Sequence, residues 1–203
     1  MKVVLIKTGT ANIASVRAGL ERAGAQVELT QDADTVRAAA AVVLPGVGAF
    51  AASLQPLLEN GLDEPLRERI QAGRPTLAVC VGLQLLCESS EESPGANGLG
   101  VFALRVTRFG PESPRVPQLG WNRIECDPGC ALLESGHVYF ANSYRLPGAP
   151  EGWSSARAHH GSSFVAGVER GAVLACQFHP ELSGALGRRV LERWTRRAQE
   201  MAR

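Results

Sequence analysis

Short apolar runs alternate with segments of helical periodicity in the first half of the chain. Residues 3–6, VVLI, form a continuous apolar run, which is typical of a strand covered on both faces of a sheet. Residues 13–23 follow with apolar side chains at helical spacing, and Gly24 ends that predicted helix. The alternation then predicts further strands at 27–29, 41–46 and 76–79 and further helices at 35–40, 50–60, 63–72 and 81–88. This repetition predicts a parallel sheet with right-handed crossovers.

The second half of the chain changes to strand-like segments separated by Gly and Pro. The pattern predicts strands at 101–109, 122–126, 137–146, 155–159, 164–169 and 173–177. These resemble hairpins added to the sheet. A final helix is predicted at 183–201, with an apolar side made of Leu186, Val190, Leu191, Trp194 and Ala198. Residues 89–100 are interpreted as a flexible surface loop.

Length and composition narrow the class of protein. We expect the 203 residues to form one domain, 1–203, with the apolar and charged content of an ordinary soluble protein. No apolar run reaches the ~18 residues of a membrane span, and the N-terminal run is too short for a secretory signal. The 21 basic and 20 acidic residues give no bulk attraction to nucleic acid or anionic membrane. Only Lys2 and Lys7 are lysine, so each stands out among the arginines.

The odd number of cysteines, five, predicts reduced thiols and hence a cytoplasmic protein. No CxxC pair occurs. Cys126 and Cys130 are four residues apart, but no second pair completes a zinc set, so we expect no metal.

Cys80 lies where the predicted strand TLAV meets the predicted helix VGLQLL. A thiol at a helix N-terminus is exposed to the positive end of the helix dipole, which favours the nucleophilic thiolate. The arrangement of strand, sharp turn and helix is that of a nucleophile elbow, with Gly82 where the chain must pack closely. The alternative is a buried core cysteine.

His179 and Glu181 follow a predicted strand in the segment QFHPELSG. Residues two apart in an extended segment point the same way, and Pro180 keeps His179 out of the helical region. The carboxylate can then orient the imidazole, and the two residues together with Cys80 predict a nucleophilic triad. The alternatives are a structural histidine at a strand end and an acid near a helix N-terminus.

Several motifs in the same order along the chain resemble one family, the class I (triad-type) glutamine amidotransferases. The motifs are Asn12 in the first loop, LPGVGAF (44–50), CVGLQLLCESSEE (80–92), VPQLGWN (116–122), YFANSY (139–144) and QFHPELSG (177–184). LPGVGAF and PQLGWN are similar to the glutaminase subunits of imidazole glycerol phosphate synthases, which act in histidine biosynthesis. The resemblance implies a flavodoxin-like α/β fold, with a mostly parallel central sheet flanked by helices and added antiparallel strands in the C-terminal half.

The resemblance also implies a mechanism without cofactor or metal. Cys80 attacks the side-chain carboxamide of glutamine, His179 moves the thiol proton to the leaving ammonia, and Glu181 holds His179 in place. The thioester is then hydrolysed to glutamate. The backbone of Val81 forms the oxyanion hole with the turn that contains Val47 and Gly48. The implied contacts to glutamine are Gly46, Gln84, Ser143 and Tyr144.

The implied partner is a (β/α)₈-barrel cyclase, which forms a heterodimer with the glutaminase and uses its ammonia. The cyclase makes imidazole glycerol phosphate and aminoimidazole carboxamide ribonucleotide. This chain has no phosphate-cradling glycine-rich loop, which agrees with a nucleotide site on the partner. The interface candidates are Lys7, Asn12, Gln118, Trp121 and Asn122. Core packing is the alternative for Trp121.

The sequence departs from the family pattern at a few positions. The first loop usually reads Asp-Tyr-Gly-x-Gly-Asn, and here residues 7–12 read KTGTAN. Ala78 stands two residues before the cysteine, where Gly is usual, and Asn142 replaces a common His. The altered loop leads us to expect Lys7 near the docking surface, where its charge could meet a partner carboxylate.

Other functions remain open at this point. A glutaminase for pyridoxal phosphate synthesis or of the anthranilate type would share the triad without PQLGWN or LPGVGAF. A subunit that kept the fold and lost activity would fit the altered first loop but not the intact triad. A cysteine peptidase lacks its CGSCW-type signature here, and a dinucleotide-binding module lacks GxGxxG after the first strand.

Overall fold

A nine-stranded sheet forms the centre of the computed structural model, which describes residues 1–9 and 12–202. The first half of the chain alternates strands and helices as predicted. The elements are β1 (Lys2–Ile6), α1 (Ile13–Arg22), β2 (Gln26–Thr30), α2 (Ala33–Ala38), β3 (Val42–Leu44), α3 (Phe50–Glu59), α4 (Asp63–Gln71), β4 (Thr76–Val79) and α5 (Val81–Leu85).

The second half consists of strands until the last helix. The elements are β5 (Cys87–Ser90), β6 (Phe102–Arg108), β7 (Gln118–Cys126), β8 (Gly136–Asn142), β9 (Tyr144–Arg145), β10 (Ser154–His160), β11 (Ser162–Arg170), β12 (Val173–Cys176), a 3-10 turn (Pro180–Leu182) and α6 (Gly184–Met201). No helix within the described ranges is long and apolar enough to cross a membrane.

The order of strands in the main sheet is β2-β1-β3-β4-β12-β11-β10-β7-β8. The first five strands in this order run parallel, and the remaining four join them as antiparallel neighbours. This confirms the expected fold class. A smaller sheet contains β5, β6 and β9. The carboxyl ends of the parallel strands meet at one edge of the sheet, where ligands bind in open α/β folds.

The segment after α5 differs from its prediction. The helix ends at Leu85 and Cys87–Ser90 forms β5, which pairs in parallel with β6. The following residues are packed and do not form a loose surface loop, because Leu99 is buried and its N–H donates to the Leu85 carbonyl at 2.7 Å. A short apolar run has no period that distinguishes helix from strand, and pairing with a distant strand decides its structure here.

The last helix agrees with its prediction. Its five predicted apolar residues are all buried, and the Trp194 Nε1 donates to the Ala172 carbonyl at 3.0 Å. On its outer side, Arg189 and Arg193 both pair with Glu134, at 2.7 and 2.6 Å. The helix therefore covers one face of the sheet with an apolar stripe and presents arginines to solvent.

Arg69 is a buried cation that is held by carbonyl groups. Its Nη1 donates to Val36 O at 2.9 Å and Ala39 O at 3.1 Å, and its Nη2 donates to Pro75 O at 3.0 Å. Burial, helped by the charge of Arg74, lowers the pKa of Arg69 to about 10, so the guanidinium stays charged at neutral pH. It ties the end of α2 to the loop before β4.

We expect Arg69→Met to lower the free energy of unfolding by about 3 kcal/mol, because the Val36, Ala39 and Pro75 carbonyls each lose a hydrogen bond from a charged donor. Urea denaturation of both proteins measures this change. The matched control is Arg37→Met on α2, whose exposed side chain pairs with Asp34 at 3.1 Å. An exposed pair of this kind contributes less than about 1 kcal/mol. Equal losses in the two variants would contradict the role of Arg69.

Candidate active site

Cys80 occupies a strained turn between β4 and α5. Its φ of +55° and ψ of −111° make it the one non-glycine residue with positive φ among residues 1–9 and 12–202. A Cβ on Gly82 would lie 2.3 Å from the Leu44 carbonyl oxygen, so only glycine allows the helix to pass β3 this closely. The predicted nucleophile elbow is therefore present. Strain of this kind persists where the surrounding structure holds it, often at active sites.

His179 and Glu181 lie side by side, as their spacing predicts. His179 has extended backbone angles, and its Nδ1 lies 2.9 Å from the Glu181 Oε1, with both side chains buried. Backbone contacts fix the segment, because the His179 N–H donates to the Tyr139 carbonyl at 2.9 Å and the Ser183 hydroxyl donates to the His179 carbonyl at 2.6 Å. The carboxylate can therefore set the orientation of the imidazole.

His179 is also hydrogen bonded to Cys80, which completes the contact between residues 99 positions apart. Burial lowers the pKa of His179. Hydrogen bonds to Cys80 and Glu181, and the charges of these two residues, raise it by more, so that the resulting pKa is about 10. The imidazole is therefore cationic at neutral pH.

The other four cysteines lie in surroundings that disfavour thiolates. Burial raises the pKa of each of these thiols, Cys87, Cys126, Cys130 and Cys176. Cys130, for example, has a pKa of about 12. Within the described ranges, no group of three or more His, Cys, Asp or Glu residues could hold a metal ion.

A cavity of about 430 Å³ opens in front of Cys80 and His179. The predicted pocket residues Gln84, Ser143 and Tyr144 line it, together with Val47 and Gly48 from the turn after β3. Gly46 is packed behind this turn, where a Cβ would lie 2.9 Å from the Gly82 nitrogen. The structure thus brings the predicted nucleophile, base and glutamine pocket to one place.

The Val81 amide, predicted as an oxyanion donor, is occupied in this structure. Its N–H donates to the Gly46 carbonyl oxygen at 3.3 Å. An oxyanion can use this donor only when the Gly46 carbonyl turns away. The oxyanion roles of Val81, Val47 and Gly48 therefore stay predictions, and they require a rearrangement of the turn after β3.

Sequence reasoning missed two polar residues of the site. Glu92 lines the cavity and accepts a hydrogen bond from the Phe50 N–H at 2.7 Å, which caps α3. Gln177 is fully buried, and its Nε2 donates to the Cys80 Sγ at 3.8 Å. The alternation that pairs His179 with Glu181 could have indicated Gln177, which lies two residues earlier in the same extended segment.

Trp121 lies on the surface, so the alternative of core packing is wrong. It is 57% exposed and contacts Tyr139 edge-on, with ring centroids 6.1 Å apart. Leu119, two residues earlier on the same face of β7, is 54% exposed. Leu182, in the turn just after the triad, is also exposed. We call Leu119, Trp121 and Leu182 the apolar patch.

The other interface candidates are placed differently. Gln118 is 4% exposed because it alternates to the buried face of β7, opposite Asn142 on β8. This corrects its assignment to the docking surface. Asn122 is half-buried, and its Nδ2 donates to the His159 carbonyl at 2.9 Å. Asn12 is exposed and accepts a hydrogen bond from the Ser15 N–H at 3.3 Å, which caps α1.

Lys7 is exposed directly after β1, at the same edge of the sheet as Cys80. Its N–H donates to the Thr30 carbonyl at 2.9 Å. Two residues of the altered first loop, Thr10 and Ala11, lie outside the described residues. Ala78 is buried in β4 between Leu44 of β3 and Ala175 of β12.

Comparisons with known proteins show the family to which the chain belongs. Residues 4–197 match the family Glutamine amidotransferase class-I. The chain is 40% identical to imidazole glycerol phosphate synthase subunit HisH of Mycolicibacterium paratuberculosis, over 96% of this chain and 97% of the relative. It is 41% identical to the subunit HisH of Thermus thermophilus, over 92% of this chain and 93% of the relative.

A plant relative is longer. The chain is 39% identical to the chloroplastic imidazole glycerol phosphate synthase hisHF of Arabidopsis thaliana, over 95% of this chain and 33% of that protein. Among solved structures, a glutamine amidotransferase aligns with a TM-score of 0.76 at 23% identity, over 97% of this chain and 98% of that one. This likeness supports the fold alone.

Proposed function

Because this chain belongs to the class I glutamine amidotransferase family, we infer that it is the glutamine amidotransferase subunit of an imidazole glycerol phosphate synthase and acts in histidine biosynthesis. The observation that carries the activity is the contact of Cys80 with a cationic His179, itself held by Glu181, at the wall of a cavity. The five free thiols support a cytoplasmic location.

We propose that the Cys80 thiolate attacks the side-chain carbonyl carbon of glutamine. The tetrahedral intermediate collapses when the C–N bond breaks, and His179 gives its proton to the leaving ammonia. The resulting γ-glutamyl thioester is attacked by water, which His179 deprotonates. The C–S bond then breaks, glutamate leaves and the thiolate is restored. Glu181 holds the imidazole in the required tautomer throughout.

The cavity wall supports the proposed contacts to glutamine. The Gln84 Nε2 is already used by protein acceptors, which leaves its Oε1 as the acceptor that this side chain offers to the substrate's α-ammonium group. The substrate also contacts Ser143 and Tyr144, and its proposed contact with the backbone of Gly46 requires the turn after β3 to rearrange. Once the Gly46 carbonyl has turned away, the developing oxyanion accepts hydrogen bonds from the backbone N–H of Val81 and from the turn that contains Val47 and Gly48.

We propose that the partner is a (β/α)₈-barrel cyclase that receives the ammonia. The apolar patch, with exposed aromatic and leucine side chains next to the triad, suits a docking surface. Lys7 and Asn12, at the same edge of the sheet, and Asn122 on β7 complete the proposed surface. The neutral chain has no bulk charge for nucleic acid or anionic membrane, and neither is part of the proposal.

The test of the function is glutamate release from glutamine, measured with the chain alone, with the cyclase, and with the cyclase and its nucleotide substrate. We expect glutamate release in the complex and, in the presence of nucleotide, product formation that depends on glutamine. A folded complex that releases no glutamate would overturn the proposal and favour a non-catalytic subunit.

Replacement of Trp121 tests the proposed docking surface. We expect Trp121→Ala to weaken binding to the cyclase by about 30-fold, because a large exposed aromatic anchor typically contributes about 2 kcal/mol or more. Calorimetric titration of the two subunits measures the Kd. The matched control is Leu58→Ala on α3, which is 51% exposed and outside the apolar patch. An unchanged Kd for Trp121→Ala would place the docking surface elsewhere.

A further inference from the structure

Two side chains and one backbone carbonyl connect the wall of the cavity to the nucleophile. The Gln84 Nε2 donates to the Tyr144 carbonyl at 3.1 Å and to the Gln177 Oε1 at 3.0 Å. The Gln177 Nε2 donates to the Cys80 Sγ at 3.8 Å. Gln84 and Gln177 are 3% and 0% exposed, so water does not compete freely for these hydrogen bonds. We call this chain of contacts the amide relay.

A backbone carbonyl fixes the direction of the amide relay. An amide side chain can usually turn over, which exchanges its donor and acceptor ends. The Tyr144 carbonyl can only accept, and it accepts from the Asn142 Nδ2 at 3.0 Å as well as from Gln84. The amide nitrogen of Gln84 must therefore face Tyr144. The second N–H of that nitrogen donates to the Gln177 Oε1. The other end of the Gln177 amide, its Nε2, therefore faces the Cys80 sulfur and donates to it.

A donor at this position favours one ionisation state of Cys80. A hydrogen bond to a charged acceptor is stronger than one to a neutral acceptor, so the Gln177 N–H stabilises a thiolate more than a thiol. The charged groups around Cys80 are His179, in hydrogen-bond contact, Glu181 behind it, and Glu92 at the cavity wall. Gln177 directly follows β12 and donates to the sulfur at 3.8 Å.

We propose that Gln177 is a positioning residue that holds the Cys80 sulfur as a thiolate, with its orientation dictated through Gln84 by the Tyr144 carbonyl. This inference rests on the proposed function and adds a residue to it. It has a consequence for the substrate pocket, because Gln84 has two roles. Its side chain lines the cavity, and its N–H donates to the Gln177 Oε1 and so keeps the Gln177 N–H directed at the sulfur. The pocket and the nucleophile are therefore set by one continuous set of hydrogen bonds.

The test measures the alkylation of Cys80 by iodoacetamide in the full chain as a function of pH. The peptide that contains Cys80 is quantified by mass spectrometry, which separates it from the other thiols. Iodoacetamide alkylates the sulfur without turnover of glutamine, so the readout reports the sulfur itself. In Gln177→Met, which removes the donor at similar volume, we expect the acid-side midpoint of the rate profile to rise by about one pH unit.

Two further variants complete the design. Gln177→Leu removes the donor without placing a charge near the sulfur, so the midpoint should rise as far as in Gln177→Met. This variant decides the question if Gln177→Met does not fold. Thr195→Val is the matched control for loss of a buried polar group, because the Thr195 Oγ1 is buried in α6 with no hydrogen-bond partner among the described residues. Its midpoint should equal that of the wild type.

The result that overturns the inference is an unchanged midpoint in a folded Gln177 variant, even when the alkylation rate changes by the same factor at every pH. That pattern would assign Gln177 to packing alone. The result does not depend on turnover. If the wild-type complex releases glutamate and the midpoint does not move, the proposed function stands and the role of Gln177 fails. If the wild-type complex releases none, the function fails whatever the midpoint does.

Discussion

Cys80→Ala should abolish the release of glutamate from glutamine while the synthase complex still makes its product from added ammonium salt. Removal of a nucleophile typically costs a factor of about 10⁴ or more in turnover, because no other group forms the covalent intermediate. The cyclase would still receive ammonia from solution. Alanine keeps a Cβ at the strained backbone position, where φ is +55°, so the change removes the sulfur and little else.

Both rates can be measured on the same complex, with glutamine or an ammonium salt as nitrogen source. The matched control is Cys126→Ala, which removes a half-buried thiol in β7 that does not line the cavity. It should keep both activities. Loss of both activities in a folded Cys80→Ala complex would contradict the division of labour between the two subunits.

Glu181→Gln should lower kcat/KM for glutamine by about 10³-fold and lower the pKa of His179. The amide cannot supply the charge that helps to hold the His179 pKa at about 10 against the effect of burial. It also permits the wrong imidazole tautomer, an effect that costs a factor of this order in triads of this kind. Glutamate release by the complex at several glutamine concentrations gives kcat/KM.

The same variant changes how stability depends on pH. The folded-state pKa of His179, about 10, lies above its ordinary value of 6.5, so the folded state binds this proton more tightly. The associated stabilisation is complete below pH 6.5 and is lost as pH rises through about 10. We therefore expect urea midpoints of the wild type to fall across this window and those of Glu181→Gln to fall less.

The control for both measurements is Glu192→Gln on α6. This residue pairs with Arg188 at 2.8 Å at the surface, where the pair contributes little. The control should follow the wild type in kcat/KM and in the pH dependence of the urea midpoint. If Glu181→Gln also followed the wild type, Glu181 would not be the residue that orients His179.

Local patterns were sufficient for most of the fold. Residues 76–79 are a strand and α3 begins at Phe50, as their periodicity predicts, because each segment buries the face that its own sequence marks as apolar. The turn at Cys80 and the contact between His179 and Glu181 were also predictable, since an elbow and an extended HPE segment fix their residues locally. Only the contact between Cys80 and His179 requires the tertiary fold.

Features that depend on distant partners were not predictable. The pairing of Cys87–Ser90 with β6 overrides a helical continuation. Gln118 faces inward because the register of β7 against β8 sets its direction. The Val81 N–H and the Gln177 amide take partners 35 and 97 positions away, Gly46 and Cys80, which no local pattern specifies. Each of these features is a contact between two segments that are distant in the sequence. The pattern of either segment alone therefore does not predict it.

The position of β12 has a consequence for synthesis of the protein on the ribosome. This strand lies between β4 and β11 and joins the parallel and antiparallel halves of the sheet, yet it is the last strand to be made. Until residue 176 has emerged, β4 and β11 have no partner on their facing edges, and both consist largely of residues that the folded protein buries. Unpaired apolar edges promote association between chains. The nascent chain therefore carries its greatest risk of aggregation just before its final strand, and the same insertion that ends this risk brings His179 to Cys80.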